Sequence, residues 1–167
     1  MKILRITAGV LALLWMCVIF VFSAQAKEES SAVSMGFSYR VVSSTGFLLH
    51  LNLDEEKLRE IASGIEHTVR KAAHMTEYAI LSICIYIWLG LWKSEWWKKC
   101  LAAFCIAALY AVSDEVHQYF VPGRAGRVSD VLIDSAGALL GLFIFLGVKR
   151  CISFLWNRRK YRVTTLS

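Results

Sequence analysis

The chain has 167 residues, 57% of them hydrophobic, with a single proline and a formal net charge of +6. So apolar a composition argues against an ordinary soluble domain, and the lack of proline argues against long disordered linkers, which leaves one membrane domain spanning residues 1–167. The positive charge does not point to nucleic acid. Eleven of the 19 Lys and Arg residues fall in three places: Lys2 and Arg5; Lys93, Lys98 and Lys99; and Lys149, Arg150, Arg158, Arg159, Lys160 and Arg162.

The first element is an apolar run from Ile6 to Ala26, 21 residues without a charge. About 20 helical residues cross the hydrocarbon of a bilayer, so this run reads as a first transmembrane helix. "MKILR" before it and "SAQA" at its end also resemble a secretory signal peptide. The length of the run and Trp15 within it favour a retained helix. In either case the residue that follows lies outside.

Residues 27–71 form a long outer loop. Its first half, "KEESSAVSMGFSYRVVSSTGFLLH", is rich in serine with scattered apolar residues, and its pattern assigns it no structure beyond contact with the membrane surface. In its second half Asn52 and Glu55 suggest an N-cap pair, and Leu58, Ile61, Ile65 and Val69 recur at helical spacing. An extracytoplasmic amphipathic helix lying in the interface and running into the second span is expected.

Three further spans follow. Lys71 and Lys93 bracket 21 residues with one charge, Glu77; Lys99 and Arg124 bracket 24 with Asp114 and Glu115; Arg127 and Lys149 bracket 21 with Asp130 and Asp134. The spans are therefore placed at about 6–26, 72–92, 100–120 and 128–148, followed by a basic tail over 149–167. The fold class is all-α, an integral membrane bundle of four transmembrane helices. "KSEWWKK" reads as a short turn with interfacial tryptophans, and Pro122-Gly123 suits the centre of a type II turn. Gly137 and Gly141 make a small-xxx-small face for close helix packing. With four spans the three basic regions share one side, and the positive-inside rule makes it the cytoplasmic side, with both termini there. The basic tail is expected to meet anionic lipid headgroups. Cys17, Cys84, Cys100, Cys105 and Cys151 all sit in spans or at their cytoplasmic ends. They read as packing residues rather than a disulfide framework.

Alternation of the helices brings the start of span two, the end of span three and the start of span four to one side of the membrane. Every ionisable residue within the spans sits at one of those ends. Arg70, His74 and Glu77 follow i, i+4, i+7, with Tyr78 beside them; Asp114, His117 and Gln118 follow i, i+3, i+4; Asp130, Asp134 and Gly137 follow i, i+4, i+7. Glu77, Asp114 and Asp134 each lie roughly 9 Å in from their helix ends at 1.5 Å per residue. Charged groups facing lipid are unfavourable, so these side chains are expected to face one another in a polar pocket that opens outside.

Several chemistries are open to such a pocket. Glu77, Asp114, Glu115 and His117 are candidate acid–base groups. Arg70, Arg124 and Arg127 suit a phosphate or carboxylate, with Tyr78 and Gln118 as further binding groups. His74, His117 and Asp130, with Glu77, are competent ligands for a divalent metal, although no His-Glu-x-x-His signature is present. A purely structural network that fixes helix register is the remaining reading, since basic and acidic groups nearly balance. Ser113 and Ser129 are the nearest hydroxyls, and an isolated span serine more often bonds a neighbouring carbonyl.

"RKAAHMTEY" (70–78), "YAVSDEVHQYFVPGR" (110–124), "SDVLIDSAGALLG" (129–141) and "VIFVFSAQ" (18–25) together resemble the VanZ-like family of bacterial membrane proteins. The resemblance covers nearly the whole chain apart from the first half of the outer loop and the basic tail. It implies functional roles for Arg70, Lys71, His74, Glu77, Tyr78, Ser113, Asp114, Glu115, His117, Gln118, Pro122, Gly123, Arg124, Asp130, Asp134 and Gly137. Asp134 departs from the pattern, since family members often carry Asn there, which puts a metal-ligand role for it in doubt. The resemblance also implies the bacterial cytoplasmic membrane, a role at the cell envelope and a link to resistance to the glycopeptide teicoplanin, without supplying a reaction. Three functions follow as expectations. One is an outward pocket that binds an anionic cell-envelope precursor or a glycopeptide. The second is a metal-dependent hydrolase of a lipid-linked ester or phosphoester. The third is a membrane protein whose polar cluster is structural.

Overall fold

A computed structural model describes the backbone of residues 2–164 and the side chains of residues 2–158. The side chains of Arg159, Lys160 and Arg162 in the basic tail lie outside the described residues. Five helices follow one another: α1 (Lys2–Ser23), α2 (Lys27–Leu48), α3 (Glu55–Leu89), α4 (Trp96–Gln118) and α5 (Val128–Thr164). The described residues form no strand. α1, α3, α4 and α5 each carry a stretch long and apolar enough to cross a membrane, and the chain is a multi-pass membrane protein.

The composition of each helix explains its place. α1 is apolar on all sides, as a helix in lipid is, and Val10, Leu11, Leu13, Leu14 and Val21 stay exposed on its outer face. Its inner face is small: Ala8, Ala12 and Ser23 are buried there together with Ile19. α4 buries Ala103, Ala107 and Ala111 at one-turn spacing, all fully covered. On α5, a Cβ built on Gly137 would lie 2.3 Å from the Met75 carbonyl oxygen, and one on Gly141 would lie 2.7 Å from the Ala79 Cα. The small face read in the sequence therefore lets α5 touch the backbone of α3. Association inside a membrane depends on this kind of close packing, because lipid offers no hydrophobic penalty for separation. Interhelical hydrogen bonds add to it. Ser82 Oγ donates to the Ala138 carbonyl (2.9 Å), Trp15 Nε1 to the Glu77 carbonyl (2.9 Å) and Tyr110 Oη to the Met16 carbonyl (2.6 Å).

The outer loop differs from its expectation in three ways. Its first half is a helix, α2, whose buried face is Ser34, Ser38, Val42 and Gly46. Small side chains at one-turn spacing let α2 approach α3, where Ala62 is fully covered. The N-cap of α3 is Asp54 rather than Asn52: its carboxylate accepts from the Lys57 amide at 2.9 Å, and Glu55 and Glu56 follow in the first turn, at the positive end of the helix dipole. Finally, α3 runs unbroken through 35 residues, about 52 Å at the α-helical rise. A helix without a break cannot lie flat in the interface and also cross the membrane. Its amphipathic first half instead continues the axis of the span.

α1 and α2 together run antiparallel to the whole of α3. Arg5 meets Gly90, Gly9 meets Trp88 and Trp15 meets Glu77 along α1. Along α2, Arg70 Nη1 donates to Ser31 Oγ (3.0 Å), Ser34 donates to Glu66, and Tyr39 Oη donates to Glu55 (2.7 Å). α4 and α5 complete the bundle: both pack on α3 and on each other, and α4 also touches α1.

Candidate functional site

The polar residues of the spans gather at the end of the bundle where α1 stops and α2 begins. The turn between α4 and α5 sets the geometry there. Gly123 adopts a positive φ of 74°, a conformation that glycine takes without strain. A Cβ on Gly126 would lie 2.6 Å from the Glu115 carbonyl oxygen, so the absence of a side chain lets the turn fold back over the end of α4. That approach delivers the Arg127 amide to Glu115 Oε2 at 2.8 Å.

Arg124 leaves the same turn and ties two helix ends together. Its Nε donates to the Gln25 carbonyl (2.9 Å), its Nη2 to the Phe22 carbonyl (3.3 Å) and its Nη1 to Gln118 Oε1 (3.3 Å). Phe22 is in the last turn of α1, whose carbonyls have no partner within the helix, and Gln25 lies in the junction beyond it; the guanidinium caps both, beside the Gln25 amide that also donates to Phe22 (3.3 Å). Partial burial, and then repulsion from Arg70, draw the Arg124 pKa below the ordinary guanidinium value, and the group stays cationic because that ordinary value is so high. Behind it, Gln118 Nε2 donates to Asp114 Oδ2 (3.2 Å), which also accepts from Ser23 Oγ (2.8 Å). Asp114 is thus a buried bridge between α4 and α1, with Oδ1 unpartnered.

On the other side, Lys71 of α3 pairs with Asp130 of α5, and Ser129 Oγ donates to the same carboxylate at 3.2 Å. Arg70 Nη2 lies 3.4 Å from Glu66 Oε2, and His74 Nδ1 lies 3.1 Å from Glu77 Oε2. Between these walls is a cavity of about 270 Å³. Lys27, Arg70, Lys71, Arg124 and Arg127 bring five cations to it, against the three carboxylates of Glu115, Asp130 and Asp134, with His67 and His74 beside them. Lys27 and Arg127 have no ion pair among the described residues. Asp134 is buried to 3% exposure, yet it lines the cavity and has no hydrogen-bond partner among the described residues.

The cavity thus receives Arg70, His74, Glu115, Gln118, Arg124, Arg127, Asp130 and Asp134. Three of the other sequence candidates point elsewhere. His117 stacks on Phe20 of α1 with ring centroids 4.3 Å apart, its Nε2 buried without a partner. Tyr78 is fully buried in the helical core, 6.2 Å between centroids from Tyr110. Glu77 caps His74 on a face turned toward α1 and α2. His74, His117 and Asp130 are accordingly not brought together as a metal trio, and among the described residues no three His, Cys, Asp or Glu side chains gather to hold one ion.

Sequence reasoning missed Lys27 and His67, and it noted Ser23 and Gln25 only as the Ser/Gln ending of "VIFVFSAQ", without a role. His67 was legible in principle, since residues 67, 71 and 74 share a helix face. Lys27, Ser23 and Gln25 were not, because their roles depend on how the α1–α2 junction meets the turn after α4.

The family model described as VanZ/LLP1 matches residues 8–152. No curated protein and no solved structure matches the chain.

Proposed function

Because the chain belongs to the VanZ/LLP1 family, we propose that it acts at the bacterial cell envelope, with the cationic cavity facing outside the cytoplasmic membrane and binding an anionic, lipid-linked envelope component. One observation carries this reading. Lys27 and Arg127 line the cavity with no ion pair among the described residues, while Arg70, Lys71 and Arg124 already have protein partners. Five cations against three carboxylates leave the cavity with an excess of positive charge that attracts a phosphate or carboxylate, and an arginine can grip it with two parallel hydrogen bonds. The distribution of the basic residues supports the orientation, since Lys2, Arg5, Lys93, Lys98, Lys99, Lys149 and Arg150 mark the opposite end of the bundle.

The hydrolase reading has less support, because the candidate ligands diverge. The structural reading accounts for Arg124 and Asp114, which bond other helices, but leaves Lys27 and Arg127 unexplained. Expression in a teicoplanin-sensitive host separates the alternatives. The wild-type chain is expected to raise the inhibitory concentration of teicoplanin, and Lys27→Gln with Arg127→Gln to abolish the rise at unchanged membrane abundance. A double variant as protective as wild type would contradict the binding role of the cavity.

A further inference from the structure

A second cavity, of about 580 Å³, runs along the outside of the bundle between α1, α2 and α3. It adjoins the cationic cavity, and Arg70 and His74 stand in the walls of both. Its character is different. Ala72, Ala73 and Thr76 form a floor of small side chains on α3, and Trp15, Phe22 and Ile80 rise beside it. Val33 and Phe37 of α2 make its upper lip, both well exposed. From Arg70 down to Ile80 the floor is about 15 Å long at the helical rise, and it lies within the apolar stretch of α3, open to the side where lipid stands.

Resting on the cavity reading above, we infer that this groove holds one hydrocarbon chain of the ligand whose anionic headgroup sits among Lys27, Arg70 and Arg127. The ligand is therefore a membrane amphiphile that enters sideways from the bilayer, rather than a soluble anion that enters from water. A chain in the groove meets small floor atoms and large apolar walls, passes Glu77, which is held by His74, and keeps its headgroup at Arg70, which borders both spaces. The occupant is set by that adjacency of cations and apolar groove, since a protein side chain or a soluble anion would fill only one of the two spaces.

Tryptophan quenching tests this in the full chain. The protein is reconstituted into bilayers with a fixed fraction of phosphatidylglycerol or phosphatidylcholine carrying bromine at mid-chain. Trp15 is the only tryptophan of the groove; the others, Trp88, Trp92, Trp96, Trp97 and Trp156, lie toward the opposite end. The expected result is stronger quenching by brominated phosphatidylglycerol than by brominated phosphatidylcholine, with the excess lost in Trp15→Phe. Ala73→Phe and Thr76→Phe, at exposed positions, fill the floor and also remove the excess. Equal quenching by the two lipids, or an excess that survives Trp15→Phe and both floor variants, overturns the inference. A spin label on the phosphatidylglycerol headgroup separates this failure from failure of the cavity reading. If Lys27→Gln with Arg127→Gln releases an immobilised headgroup while the chain never quenches Trp15, the cavity binds anions and the groove does not take the chain. If no headgroup is immobilised, both fall.

Discussion

Arg124 illustrates how a residue that reads as a ligand clamp can be occupied by the protein itself. Its three hydrogen bonds go to the Phe22 carbonyl at the end of α1, to the Gln25 carbonyl in the junction after it, and to Gln118, and a charged hydrogen bond contributes about 1.5–3 kcal/mol. Arg124→Ala is therefore expected to lower stability by about 2–3 kcal/mol in detergent unfolding. Arg124→Lys should recover only part of that loss, since an ammonium cannot reach three acceptors spread over a guanidinium plane. A fully stable Arg124→Ala would mean that the junction holds without the clamp. His117 shows the same limit of sequence reasoning. Its spacing with Asp114 and Gln118 put all three on one helical face, and that face is real for Asp114 and Gln118, which hydrogen-bond to each other. The face turns toward α1, however, and His117 stacks on Phe20 while Glu115, off the predicted face, reaches the cavity. Periodicity fixes which side chains travel together; it does not say which neighbour they meet.

The same distinction separates the helices that were legible from the one that was not. The four spans stand out because length and apolarity are properties of each segment alone. Gly137 and Gly141 were legible as a close-packing face because the absence of a side chain has a direct steric meaning. Gly141→Ala is expected to cost about 1–3 kcal/mol by overpacking, its methyl falling 2.7 Å from the Ala79 Cα. Gly147→Ala, with nothing within 4 Å of its Cβ, is expected to be neutral or slightly stabilising, as alanine favours helix over glycine by up to about 1 kcal/mol. Thermal unfolding of the two variants checks the contrast; equal midpoints would contradict the contact between α3 and α5. α2 was hidden because its buried face is serine, valine and glycine, which leaves no apolar stripe to detect. Only α3 lying alongside makes that face an inside. Cysteines introduced at Ser34 and Glu66, in a background without the native thiols, are expected to join rapidly with a short bifunctional reagent. Failure to couple in folded protein would release α2 from α3.

At the scale of the whole molecule, charge asymmetry and helix alternation put the polar ends of α3, α4 and α5 together, and both were visible in the sequence. The part played by the α1–α2 junction was not, because it arises from Ser23 meeting Asp114 and Gln118 of α4 and from Gln25 and Lys27 meeting the turn after it. The proposed function requires the cavity to hold water and to open on the side of the membrane opposite the basic helix ends. Ile133 lines that cavity, whereas its neighbour Leu132 is exposed on the lipid-facing surface of α5. A thiol reacts as thiolate, which forms in water and not in hydrocarbon. The decisive measurement is labelling of Ile133→Cys and Leu132→Cys by a membrane-impermeant thiol reagent in intact cells that lack the five native cysteines. The account predicts rapid labelling at 133 and little at 132. Equal reactivity at the two positions, or labelling at 133 only after the cells are permeabilised, would contradict it.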